Sequence, residues 1–209
     1  LGNEMFMDSS SLRDSVVSHA KHLGVTPTSV KTPTVELNFT FTPSGAPTSL
    51  TIAKDTKFTT SIDGTSYTFV TNITTNVPRA GDGSYVATGV EIKEGKILNK
   101  SYTVDSGDTA QRFIIPNINV DASTISVVVQ NSDSDTDTNI YTDGNAIDVT
   151  TIKGTDKVFF LQEIEGRKYE ITFGDGAVGK QLSDGNIIFI EYIVTGGTLA
   201  NKASVFTAV

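Results

Sequence analysis

Gly174, Gly176 and Gly179 stand at the spacing G-x-G-x-x-G, the first candidate for chemistry in this chain. That pattern cradles a dinucleotide pyrophosphate when a strand leads into it and a helix follows, because the helix N-terminus favours negative charge. Tyr169 to Phe173 alternates apolar and polar residues and supplies the strand. No helical pattern follows. Lys180 to Asn186 leads straight into another β-type run, Ile187 to Val194, and no βαβ alternation surrounds it. The glycines are therefore read as positive-φ turn residues, with Asp175 bonding backbone amides inside the loop.

Other chemistry fares no better. His19 and His22, the only two histidines, are three residues apart on one helical pattern. A structural metal site wants four ligands, and no carboxylate at a suitable spacing completes one. Asp133, Asp135 and Asp137 imitate the start of a calcium loop within Asn131–Asn139. Thr138 stands where that loop needs Gly, and Gly144 where it needs Glu, so a solvated loop is expected. Glu163 with Glu165, or Glu91 with Glu94, would suit acid–base work on sugars only inside a cleft; surface placement beside turns is the expected explanation for both pairs. There is no cysteine, no serine stands in G-x-S-x-G, and both histidines share one short helix, which leaves no nucleophilic constellation. The absence of tryptophan and an aromatic content of 8% argue against a carbohydrate platform. The expectation is a chain without catalytic, cofactor-binding or metal-binding residues, not an enzyme.

The elements that position these residues are mainly strands. Helical spacing appears once, from Leu1 to Gly24. Leu12, Val16, His19 and Leu23 share one face, Ser11 and Asp14 form a capping pattern, and Gly24 and Pro27 end the run. Residues 1–33 are read as a helical arm and a Pro/Thr linker. Alternating short runs then predict strands at 34–42, 50–53, 57–62, 67–73, 85–92 and 97–104, with Asp63-Gly64 as a hairpin turn. Ser106 to Thr109 reads as a boundary, giving β domains at 34–105 and 106–209. Strands in the second are expected at 113–116, 125–129, 141–149, 158–161, 169–173 and 187–194, with a hairpin turn at Glu165-Gly166. Ile187 to Val194 is apolar on both faces apart from Glu191 and is expected to be central in its sheet. The fold class is β-sandwich-like units of antiparallel strands with one N-terminal helix, α+β overall.

With 209 residues the chain is long enough for a sizeable core without staples, and the lack of cysteine excludes disulfides. Sixteen basic against 24 acidic residues give a net charge of −8, which repels nucleic acid and anionic membranes in general. Lys93, Lys96 and Lys100 are interrupted by Glu94, so no basic patch forms in sequence. No apolar run reaches a membrane span, and no signal-peptide pattern is present. The chain begins with Leu1, not Met, and reads as a piece of a longer polypeptide.

Phe173-Gly174-Asp175-Gly176, Gly179-Lys180, and Gly185-Asn186 before an apolar strand ending in Tyr192 occur in order, followed by Gly196-Gly197 and Ala200-Asn201. Together they resemble the signature of the baseplate J-like family, the baseplate wedge proteins of contractile-tailed bacteriophages and related injection machines. Glu4, Phe6, Ser11 to Arg13, Ala20 to Gly24 and Pro27 are similar to the family's helix before its β domain. Phe159 to Glu163 and Pro116 to Asp121 resemble the version found in wedge subunits of T-even-like phages. The resemblance implies a structural component of the virion tail baseplate, assembled in the host cytoplasm. It would contact copies of itself and other wedge proteins in a six-fold baseplate that rearranges to trigger sheath contraction. No nucleic acid, membrane or small-molecule substrate is implied. Val16, His19 and Leu23, and the loop from Gly174 to Asn186, are the candidate contact surfaces, with Gly185 and Asn186 closing that loop; the equal alternative for the loop is that its glycines only hold the fold. The alternative reading is a surface β-sandwich adhesin or a calcium- or glycan-binding module.

Overall fold

The computed structural model describes residues 12–22 and 29–209. Among them the chain is mainly β, with one α-helix, α1, at Arg13–His22. The proposed helix end at Gly24 and Pro27 and the proposed cap at Ser11 lie outside the described residues. Contacts divide the chain into two compact units, and the division is not linear. Leu98–Tyr192 groups with the described residues up to Ser29, and Val30–Ile97 groups with Ile193–Val209. The linear scheme with a boundary at 105/106 did not foresee the return of the last seventeen residues, Ile193–Val209. Their reason for returning is strand pairing, described next.

The unit built on Val30–Ile97 contains β1 (Thr34–Phe41), β2 (Ser49–Ile52), β3 (Lys57–Ile62), β4 (Thr65–Thr71), β5 (Thr75–Pro78) and β6 (Tyr85–Glu94). Its five-stranded sheet runs β1-β6-β4-β3-β14, where β14 is Thr207–Ala208; β2 and β5 pair separately. β14 lies antiparallel on β3, placing Thr207 opposite Thr59 and Ala208 opposite Phe58. β3 and β4 form the hairpin read from Asp63-Gly64, both at positive φ as a two-residue primed turn requires. β5 falls on a stretch that sequence left unassigned. Between β1 and β6, Leu37 to Phe39 faces Val90 to Ala87, a bulge with Gly89 at φ +65°. The Asn38 side chain accepts from the Gly89 N–H and holds that bulge. Phe58, Phe69, Ile92 and Ala200 form one buried cluster; Ile52, Val77, Tyr85, Ala87 and Val90 form another.

The other unit holds a seven-stranded sheet in the order β7-β13-β9-β10-β11-β12-β8. The strands are β7 (Lys96–Thr103), β8 (Phe113–Ile115), β9 (Ser126–Gln130), β10 (Thr138–Asp143), β11 (Val158–Ile164), β12 (Lys168–Phe173) and β13 (Ile187–Val194). The expected strand at 141–149 is shifted: β10 ends at Asp143, and short 3-10 turns follow at Gly144–Ala146 and Val149–Thr151. Asp143 and Asp148 start those turns by accepting from the N–H two residues on. One pair departs from the antiparallel expectation. β10 and β11 run parallel, pairing Thr142 with Val158 and Asp143 with Phe159. The β11–β12 turn is centred one residue later than Glu165-Gly166, on Gly166 and Arg167 at φ +76° and +61°. β13 is flanked by β7 and β9 as expected, but the face of its odd-numbered residues is covered only in part: Phe189 is 42% exposed and Ile187 and Glu191 are half-buried, while Ile193 on that face and Ile188 and Ile190 on the other are buried.

Candidate functional site

The FGDG segment follows β12. Phe173 is its apolar anchor, edge-on to Phe113 at 5.8 Å and to Tyr141 at 5.5 Å. The backbone then turns back on itself, and two pairs of glycines allow it. A side chain on Gly174 would place its Cβ 2.1 Å from the Gly179 carbonyl carbon, and one on Gly154 would meet the Gly176 oxygen at 1.9 Å. Gly176 and Gly179 hold φ of +90° and +81°. The Gly176 N–H donates to the Gly179 carbonyl, the Gly179 N–H to Lys153, and the Lys180 N–H to Asp156. The loop is thereby tied to the segment before β11. No helix follows Gly179; the next element is β13.

Asp175 organises the tip. Its carboxylate accepts from the N–H groups of Ala177 and Val178, each at 2.9 Å. Those bonds, Val178 first, hold its pKa below the usual carboxylate value. Gly185, at φ +76°, and Asn186 form the second turn. The Asn186 side chain accepts from the Ser183 N–H and donates to the Asn131 carbonyl, while the Asn186 carbonyl accepts from the Val104 N–H. Every residue of the sequence motif thus has a packing or hydrogen-bonding role in forming the loop.

The helix-face candidates are not brought together with this loop by any described contact. Val16 is half-buried, the side chain of His19 is outside the described set, and Leu23 lies outside the described residues. The face predicted from Leu12 and Val16 is displaced: Leu12 is 62% exposed, and the buried apolar residue is Val17. The cause is Arg13. Its guanidinium makes a two-pronged ion pair with Glu163 of β11, Nε to Oε1 at 2.7 Å and Nη2 to Oε2 at 2.8 Å, and this sets the rotation of α1. Glu163 is 2% exposed. The hydrogen bond to Glu163 raises the Arg13 pKa. Tyr169 stands opposite Glu163 across the β11–β12 ladder. Burial first, then the Glu163 charge, raises the Tyr169 pKa, and Arg13 and Ser29 are hydrogen bonded to its hydroxyl. Ser29 in turn accepts from the Ala122 N–H.

The expected surface placement beside turns fails for Glu163 and Glu94, which are buried because strand pairing carries them inside and donors meet their charge. Glu94 is buried and accepts from the Thr195 hydroxyl and the Gly196 N–H. Glu91 pairs with Lys93 at 3.0 Å. Glu170 takes a two-pronged ion pair from Arg112 and a bond from Gln162. In the acidic loop, Asp135 accepts from the Asn131 side chain and the Asp137 N–H, which lower its pKa. Among the described residues no group of three or more His, Asp or Glu is placed to hold a metal ion. Sequence reasoning missed the Arg13–Glu163 pair, Glu94 and Gly154. Only Glu163 carried a signal, an acidic residue within the apolar run Val158–Ile164.

No family model matches the chain. It is 24% identical over 222 residues to the baseplate wedge protein gp6 of Enterobacteria phage T4, an alignment covering 98% of this chain and 32% of that protein. The chain thus spans about a third of the length of that relative. The alignment links the chain to phage baseplate structural proteins.

Proposed function

We propose that this chain is a section of a baseplate wedge subunit of a contractile-tailed bacteriophage and acts through protein–protein contacts. The observation that carries the reading is the alignment to a wedge protein over nearly the whole chain. The loop supports it. The FGDG residues that define the resemblance form an internally bonded turn with its polar groups turned on its own backbone, an arrangement suited to holding a surface in shape. On this reading the protein resides in the virion tail baseplate after assembly in the host cytoplasm. It associates with itself and with other wedge proteins in a six-fold ring, and changes of shape in that ring trigger sheath contraction. It carries out no catalysis. Immunogold electron microscopy with antibody to this chain tests the reading, using tailed particles and isolated baseplates. Label confined to the tail tip and to baseplates is the expected result. Absence of label from both, with the epitope missing from denatured virions as well, sinks it.

A further inference from the structure

Beside the FGDG turn, β8 stops before its partner does. Phe113, Ile114 and Ile115 lie opposite Ile171, Glu170 and Tyr169, but β12 continues to Phe173. Thr172 and Phe173 have β11 on one edge, opposite Phe160 and Phe159, and no β8 residue on the other. Successive strand residues turn their N–H and C=O to opposite edges, so one of these two presents both groups where no strand lies. That edge opens into a cleft of about 340 Å³. Phe113, Ile171, Phe173 and Leu182 supply apolar lining, and Arg112 and Gln181 stand at its polar side.

The polar side has unused donors. Arg112 spends Nε and one Nη2 hydrogen on Glu170, which leaves its Nη1 group without a partner among the described residues. Among the described residues neither the Gln181 carboxamide nor the Thr172 hydroxyl has a hydrogen-bond partner. Glu170 is already held by three donors from Arg112 and Gln162. The cleft therefore offers a strand edge, an apolar floor and a surplus of donors over acceptors.

We propose that this cleft binds an extended acidic peptide segment of a neighbouring protein. The segment adds as a short strand to the free edge of β12 and sets a carboxylate against Arg112 Nη1 and the Gln181 amide, with its apolar side chains on Phe113 and Leu182. The proposal rests on the reading that the chain works by protein contacts, and it names one contact surface and its chemistry. A net charge of −8 opposes the approach of an acidic segment from a distance. Binding is accordingly weak for a free peptide and becomes useful where assembly supplies a high local concentration.

The test uses the full chain, labelled with nitrogen-15, and two capped peptides, acetyl-VLDVL-amide and acetyl-VLNVL-amide. The acidic peptide should give saturable amide shifts confined to residues 112–113, 172–174 and 181–182, with a Kd of roughly 1 mM, and the Asn peptide should bind about tenfold more weakly. Gln181→Glu, on an exposed side chain, should abolish binding of the acidic peptide while leaving the melting temperature unchanged. No saturable shift up to ~10 mM, equal binding of both peptides, or shifts centred elsewhere would each overturn the proposal. Because no virion is involved, a failure here with positive baseplate label removes the cleft alone, and binding without label leaves the cleft and removes the assembly reading.

Discussion

Gly174 and Gly185 belong to the same motif for different physical reasons, and substitution separates them. A methyl on Gly174 collides with the Gly179 backbone, whereas nothing lies within 4 Å of the Cβ position at Gly185, where only the φ of +76° resists a side chain. Gly174→Ala is expected to cost about 3 kcal/mol or more, since backbone cannot step aside, and Gly185→Ala about 1 kcal/mol. Urea denaturation of the two variants checks this, and equal midpoints would count against the close-approach argument. Asp175 makes a prediction in pH. Its folded pKa is held below the ordinary 3.8 by the Val178 and Ala177 N–H groups. A depressed folded value means that the stabilisation is complete above 3.8 and is lost as pH falls through the lower folded value. The carboxyl carbon resonance of Asp175 should therefore stay ionised below pH 3.8, with Asp175→Asn showing a smaller loss of stability on acidification. A midpoint at or above 3.8 would show that the two amide bonds do not favour the charged form. These roles were half legible. Positive φ and an Asp at the turn follow from G-D-G, but the approach of Gly154 to Gly176 joins residues 22 apart and leaves no local trace.

Strands were the most legible elements because half-buried strands must alternate, and β1, β3 and β13 lie within a residue of their expected limits. β5 was missed since four residues ending in Pro78 give too short a run to show a period. The parallel pairing of β10 with β11 is a property of two strands and their connection, so neither strand announces it. The face of α1 was misread for a related reason. Helical periodicity weighs apolar residues, while the docking of α1 is set by a buried ion pair with a carboxylate 150 residues away. Among the described side chains of α1 the buried apolar one is Val17, so Arg13 carries a large share of the described attachment. Arg13→Ala leaves Glu163 buried without its cation and is expected to destabilise by about 2–3 kcal/mol, below the range for a fully buried pair because Arg13 is partly exposed. Trypsin cleavage after Lys21 should quicken at the same time. If Arg13→Ala costs no more than Leu12→Ala, at an exposed residue just before the helix, the ion pair does not dock the helix.

At the scale of the whole molecule, each unit is built from two separate stretches of chain, with crossings at 29/30, 97/98 and 192/193. A domain reading from sequence assumes continuity, because composition and turn signals mark points along the chain and not which distant segments meet. The return of Ile193–Val209 is secured by three contacts. β14 adds to the edge of β3, Ala200 is buried in the cluster of Phe58, Phe69 and Ile92, and Phe206 lies edge-on to Phe69 at 5.0 Å. Glu94 adds a polar tie, since Thr195 and Gly196 both donate to its carboxylate. Phe206 is only partly buried, so Phe206→Ala should cost about 2 kcal/mol, below the usual range for a fully buried Phe. The location of the loss is the sharper expectation. Hydrogen exchange should accelerate first in β14 and β3, where the pairing of Thr207 with Thr59 and Ala208 with Phe58 depends on this segment staying down, and next around Phe69. Amides of β9 and β13, whose ladder lies wholly in the seven-stranded sheet, should keep their wild-type protection. Loss appearing in β9 and β13 as early as in β3 would mean that the division by contacts is not a division by stability, and that the last seventeen residues steady the entire chain.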